Sequence, residues 1–95
     1  MNISIHANNI ELTDAIREYT EKKIQGLVKY FDRITNAAVD IGLTSNHHQK
    51  GKIYYAEVNV HLPQGQMVRV RKEAEDLYKA IDKVRDHLKL ELDEI

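Results

Sequence analysis

Four of the five histidines are the first side chains from which a reactive or metal-binding group would be built. His47 and His48 are adjacent, and adjacent side chains on an extended segment point apart. The chain has no cysteine, and no second histidine pair stands at ligand spacing, so the two read as solvated loop residues. His6 and His61 fall on the polar phase of two alternating segments, with Asp40 and Glu57 as carboxylate neighbours, and are expected to approach one another. General acid–base work or a carboxylate–histidine metal site would need such a group. A flat sheet face has no pocket to exclude water, however, and the sequence has no nucleophile motif and no Gly-rich phosphate loop. The chain is therefore expected not to be an enzyme and to need neither cofactor nor metal.

The cations carry more information. On a helix that starts after Thr13 and runs to about Tyr30 or Phe31, Lys22 and Lys29 are spaced seven apart, with Arg33 four further on, which puts the three along one side. Lys23 falls within the apolar stripe, so its stem should lie on the core while the ammonium reaches the edge. On a second helix Tyr78, Arg85 and Lys89 share one flank of the stripe, and Lys79 and Lys83 share the other. Arg69 and Arg71, two apart on a strand, point away from the core, and Lys72 stands at the strand end. Part of this is ordinary helix-surface pairing, as at Glu18 with Lys22 and Glu75 with Lys79. Tyr78 reads as a core-rim residue rather than a base-stacking platform. The reason to consider RNA is geometric: two helices side by side on one sheet present Lys and Arg as a ridge matched to phosphate spacing, without reading sequence.

The elements that would hold these residues follow from period. Ile3, Ile5 and Ala7 alternate with polar residues over 2–7, and Val39, Ile41 and Leu43 do so over 38–43. Ala56, Val58, Val60 and Leu62 mark a strand over about 53–62, and Val68 and Val70 mark another over 67–72. Pro63, lacking an N–H, belongs at the strand end. Residues 45–52 form a polar loop. Thr13 is an N-cap for the stripe Ile16, Tyr19, Ile24, Leu27 and Phe31; Asp76 is an N-cap for Leu77, Ile81, Val84, Leu88 and Leu92. Gly26, inside the first helix, is expected to mark close packing.

The order is β-α-β-β-β-α, an α/β two-layer sandwich. The first two strands are parallel across a helical crossover, and the others antiparallel, giving a four-stranded mixed sheet with both helices on one face. Ser4, His6, Asp40, Tyr55, Glu57, Asn59, His61, Arg69 and Arg71 should line the open face.

At 95 residues, 42% hydrophobic and 31% charged, the chain is expected to be one domain over residues 1–95 with a single core. Neither a signal peptide nor an apolar run of membrane-spanning length is evident, so a cytoplasmic location is expected. A formal charge of −1 gives no global attraction to nucleic acid, and such a partner must meet a local patch.

Glu57-Val-Asn-Val-His-Leu-Pro63, Val68-Arg69 and Glu75-Asp-Leu-Tyr-Lys-Ala-Ile-Asp82 resemble the signature of the ribosome hibernation promoting factor / protein Y family. The N-terminal half agrees, in Asn8-Asn9-Ile-Glu-Leu-Thr-Asp-Ala-Ile-Arg-Glu-Tyr19, Lys23 and Leu27-Val-Lys-Tyr-Phe-Asp-Arg-Ile34. The resemblance, to the family's short form, covers essentially the whole chain. It implies a fold like a double-stranded RNA-binding domain. It implies a non-enzymatic translation inhibitor that binds 16S rRNA in the decoding channel of the 30S subunit and the 70S ribosome. There it would block mRNA and tRNA binding under stress, with no small-molecule substrate, no membrane and no required oligomer. Carried onto this chain, the rRNA contacts are Lys22, Lys23, Lys29, Arg69, Lys79, Arg85 and Lys89, together with Arg71, Lys72 and Lys83. The family's last helix is usually followed by basic turns, whereas here Leu90 and an acidic end occupy that place. An interaction module of the same fold, binding a protein through its open face with little or no rRNA affinity, is the alternative.

Overall fold

A computed structural model describes residues 2–44 and 51–94. His47, His48 and most of the loop expected over 45–52 lie outside the described residues. The order is β1 (Asn2–Asn8), α1 (Asp14–Tyr30), β2 (Asn36–Leu43), β3 (Tyr54–His61), a 3₁₀ turn (Pro63–Gly65), β4 (Met67–Ala74) and α2 (Leu77–Asp93). The strands lie in sequence order in one sheet, β1 parallel to β2 and the rest antiparallel, as the crossover argument requires.

Register explains why the two faces differ. Ile5, Val39, Val58 and Val70 stand in one row across the four strands, and His6, Asp40, Glu57 and Arg71 stand in the next, on the opposite face. Both helices cover the first face. Ile24 and Leu27 of α1, and Leu77, Ile81, Val84, Leu88 and Leu92 of α2, close the core over Val39, Ile41, Val58 and Val60. Leu88 and Val58 are fully enclosed. Each such side chain contributes about 1.5–3 kcal/mol by leaving water, so stripe burial rather than helix propensity holds α2 in place.

The Thr13 hydroxyl caps α1 by accepting the Ile16 N–H at 3.2 Å. Asp76 stands at the N-cap position of α2, but its side chain makes no capping hydrogen bond. Thr20 is wholly buried without a sequence signal; its hydroxyl donates to the Ile16 carbonyl at 2.8 Å.

Three expectations are corrected by the geometry. β4 runs two residues further than expected, and Lys72 lies within it rather than at its end. Lys72 pairs with Ala56 on the helix side of the sheet, its stem half-buried. His6 and His61 do not approach one another: His6 aligns with Asp40 and Glu57, and His61 sits four residues further along β3. Two strand spacings and four residues of rise put them on the order of 16 Å apart. Gly26 is exposed, and a Cβ built there would meet nothing within 4 Å, so close packing is not its role.

Gly42 is the glycine that close packing in the sheet requires. A Cβ there would stand 2.2 Å from the Asn8 carbonyl oxygen and 3.1 Å from the Tyr55 ring. The Tyr55 ring crosses above it toward β1, and its hydroxyl donates to Asp40 at 3.0 Å while accepting from Asn8 at 2.8 Å. Asn8 also donates to Asp40 at 3.0 Å. Tyr55, expected on the open face, is therefore buried there, at 6% exposure.

Candidate nucleic-acid interface

Eight of the ten expected cations fall into three groups, set by which element carries them and which way it turns, while Lys22 and Lys29 stand exposed on α1 outside them. The first flanks the groove between α1 and α2. Tyr19 packs edge-on against Tyr78 at 4.8 Å and donates a 2.6 Å hydrogen bond to Asp82. Lys23 stands 3.5 Å from the same carboxylate, with its ammonium 5.2 Å from the Tyr19 ring centre. Asp82 accepting from the phenol is the largest reason that Tyr19 is pushed up to about 12, ahead of its burial. Further along the groove, Arg85 is held at 2.7 Å by Asp86, and Lys89 reaches over the Tyr30 ring at 4.8 Å. Gly26 and Leu27 line a hollow of about 280 Å³ there with Tyr30, Arg85, Asp86 and Lys89.

The second group lies on the other flank of α2, against β4. Lys83 donates to the Glu73 carbonyl at 3.4 Å. Lys79 and Lys83 edge one shallow hollow with Glu73 and Glu75, and Lys72 edges the next with Lys83, Asp86 and His87. His87 faces Glu91 at 3.4 Å.

The third group is on the far side of the sheet. Arg69 and Arg71 converge on Glu57 at 3.4 and 3.6 Å, and Arg71 also meets Glu73 at 3.6 Å. Arg71 stacks on Tyr55, 4.2 Å from the ring centre. The Tyr55 hydroxyl is pushed up, first by burial and then by Asp40, against a lowering from Asn8.

The structure thus brings Lys23, Arg85 and Lys89 to one groove, and Lys72, Lys79 and Lys83 to a second flank. Arg69 and Arg71 face the opposite way. The expected single ridge is interrupted by Asp82 and Asp86. Among the described residues, Lys22, Lys29, Lys79 and Lys89 are in no ion pair and stay exposed on the helical layer, so the expected pairs of Glu18 with Lys22 and of Glu75 with Lys79 do not form. Tyr78, at 37% exposure against Tyr19, is the rim residue its spacing suggested. Tyr30, Asp82 and Asp86 were not foreseen at the groove. The four-residue step from Tyr78 to Asp82, on the flank shared with Arg85, was the available signal for one of them. Among the described residues no three His, Asp or Glu side chains gather to hold a metal ion, and no described helix is long and apolar enough to cross a membrane.

The model of the family described as Sigma 54 modulation protein / S30EA ribosomal protein matches residues 3–95. The chain is 36% identical over 92 residues to a ribosome hibernation promoting factor of Azotobacter vinelandii, covering 97% of this chain and 79% of that one. It is 33% identical over 90 residues to the ribosome hibernation promotion factor of Deinococcus radiodurans, covering 93% of this chain but 45% of that longer protein. The solved N-terminal domain of Thermus thermophilus Protein Y superposes with a TM-score of 0.79 at 41% identity, covering 96% of this chain and 94% of that domain.

Proposed function

This chain belongs to the Sigma 54 modulation protein / S30EA ribosomal protein family, and from that membership we propose that it is a ribosome hibernation factor. In this reading residues 1–95 act in the cytoplasm as one ribosome-binding domain with no catalytic step. The domain occupies the decoding channel of the 30S subunit, alone or within the 70S ribosome, and lies on 16S rRNA where mRNA and tRNA would bind. Under stress, occupancy alone keeps the ribosome idle.

The observation that carries the reading is the layer formed by α1 and α2, whose exposed Lys22, Lys29, Lys79 and Lys89 are left without carboxylate partners among the described residues. Lysines that no acid neutralises are available to phosphates, and a rigid pair of helices fixes their spacing. Lys23, Lys72, Lys83 and Arg85 extend the same layer. Arg69 and Arg71 face the other way and would meet a second wall of the channel.

Pelleting with 30S and 70S particles at several salt concentrations tests this. The pair Lys79→Glu and Arg85→Glu should weaken binding, and the wild-type log affinity should fall with log salt by about 0.7–0.9 per phosphate contacted. Binding indifferent to both changes and to salt would refute it. A second reading, an interaction module of the same fold with little rRNA affinity, rests on Leu90, which is 66% exposed beside His87. Concentration-dependent self-association with no ribosome binding would select it.

A further inference from the structure

Tyr30 is the most exposed aromatic side chain among the described residues, at 65%, and it is the shared wall of two hollows of opposite character. On one side lies the inter-helix hollow with Arg85, the Asp86 that holds it, and Lys89. On the other, at the end of the molecule, a hollow of about 230 Å³ is lined by the apolar Phe31, Leu62 and Leu92. Arg33, Asp32 and Gln66 supply its polar edge. Phe31 supports the Tyr30 ring from below, with centres 4.8 Å apart and planes tilted by 57°.

Within the fold the Tyr30 ring meets only Phe31 and the Lys89 ammonium among the described ring and cation contacts, and most of it is left open to solvent. It lies outside the buried core, and its hydroxyl makes no hydrogen bond with a described residue. A hollow carrying Arg85, its partner Asp86 and the unpaired Lys89, and a hollow with an apolar floor and a polar edge, separated by one ring, match the two halves of a nucleotide. Phosphate is anionic and pairs with guanidinium and ammonium groups; a base is flat, apolar on its faces and polar at its edges.

We propose that Tyr30 is the stacking platform for one unstacked RNA nucleotide. Its base enters the end hollow against the ring, and its phosphate lies between Arg85 and Lys89. Lys89, over the ring at 4.8 Å and lining the inter-helix hollow, stands where its ammonium would pair with that phosphate. Arg33, Asp32 and Gln66 stand where the edge of a base would be hydrogen-bonded. The inference rests on the ribosomal reading for its partner and deepens it. The contact includes a splayed single-stranded residue as well as duplex backbone, and phosphates alone would not need an aromatic wall.

The test measures binding of wild type, Tyr30→Ala, Tyr30→Trp and Lys89→Gln to 30S subunits and, separately, to a fluorescent ten-nucleotide single-stranded oligoribonucleotide. Stacking on an aromatic ring is worth enough that Tyr30→Ala should lose about tenfold in affinity for both. Tyr30→Trp should restore it, the salt slope should be unchanged in Tyr30→Ala, and only Lys89→Gln should flatten that slope. Thermal midpoints close to wild type show that the fold is intact. Unchanged affinity in Tyr30→Ala, or a loss that Trp does not rescue, overturns the platform. Wild type that binds the oligonucleotide through Tyr30 but ignores 30S subunits supports the platform and overturns the ribosomal reading. Capture of a protein side chain in the end hollow, with no effect of Tyr30→Ala on either RNA, overturns it in favour of a protein ligand.

Discussion

The Tyr19 hydroxyl of α1 donates to the Asp82 carboxylate of α2 at 2.6 Å, and this bond ties the two helices on the side away from the sheet. Lys23 reaches the same carboxylate, so one acid on α2 gathers a phenol and an ammonium from successive turns of α1. Packing of two helices on a sheet fixes their distance but leaves each free to slide along its axis. A directional bond between them selects one alignment, and with it the positions of Lys29, Arg85 and Lys89.

Because the bond needs the phenol proton, stability should depend on pH at the alkaline end. Tyr19 is raised in the folded chain to about 12 from an ordinary 10.0. A group whose folded pKa lies above its unfolded one contributes its full stability below the unfolded value and loses it as pH rises through the folded one. The thermal midpoint of wild type should therefore fall between pH 10 and 12, beyond the fall in Tyr19→Phe, whose alkaline limb should be flatter. Parallel limbs for the two proteins would show that the bond does not contribute.

Gly42→Ala should be the most damaging single-methyl change in the sheet. The new carbon would overlap the Asn8 carbonyl oxygen at 2.2 Å and crowd the Tyr55 ring at 3.1 Å. Relief requires β1 to move from β2, and Tyr55, crowded as well, to shift from its bonds with Asn8 and Asp40. The expected loss is about 2–3 kcal/mol, typical of overpacking that a backbone cannot relax. Urea unfolding measures it. Gly26→Ala should do the reverse and gain up to ~1 kcal/mol, since the added methyl meets nothing and improves helix propensity.

The alternation in β3 and the stripe in α2 set much of the fold because each is a local period with a buried consequence. Shifting Val58 and Val60 by one residue would expose both, so only one register satisfies the core. The interface was less legible. The flanks of α2 could be assigned from spacing, but that Asp82 faces Tyr19, and that Asp86 holds Arg85, depends on how the helices are rotated and staggered. Tyr30 and Phe31 are adjacent aromatics at a helix end, and the stripe separates them as the structure does, while giving no sign that Tyr30 walls the groove. Phe31 packs on the core and Tyr30 stays out. The length of β4 was underestimated because Lys72, a charged residue on an inward phase, disguised its continuation.

The two arginines of the sheet face should separate by role. Arg71 stacks on Tyr55 and meets both Glu57 and Glu73, whereas Arg69, 63% exposed, meets Glu57 alone. Arg71→Ala should cost about 1 kcal/mol of stability in urea unfolding, and Arg69→Ala should cost little. Charge reversal at either should weaken ribosome binding less than reversal at Lys79, because Glu57 already neutralises part of their charge. Equal losses on both faces would mean that the sheet is as closely apposed to RNA as the helices.

Asp82→Asn should separate affinity from stability. The amide keeps an acceptor for Tyr19 but loses the charge that holds Lys23, and a charged hydrogen bond becomes a neutral one, at a cost of about 1 kcal/mol in urea unfolding. The same change removes an acid from a groove that also carries Arg85 and Lys89, and frees the Lys23 ammonium for phosphate. Ribosome affinity should rise roughly two- to fivefold at low salt, with the gain shrinking as salt increases, as for a partly exposed charge. In a Lys23→Gln background most of that gain should disappear, because the freed cation is then missing. If Asp82→Asn weakens binding instead, the carboxylate serves chiefly to hold Lys23 in place, and alignment of the ammonium outweighs its neutralisation.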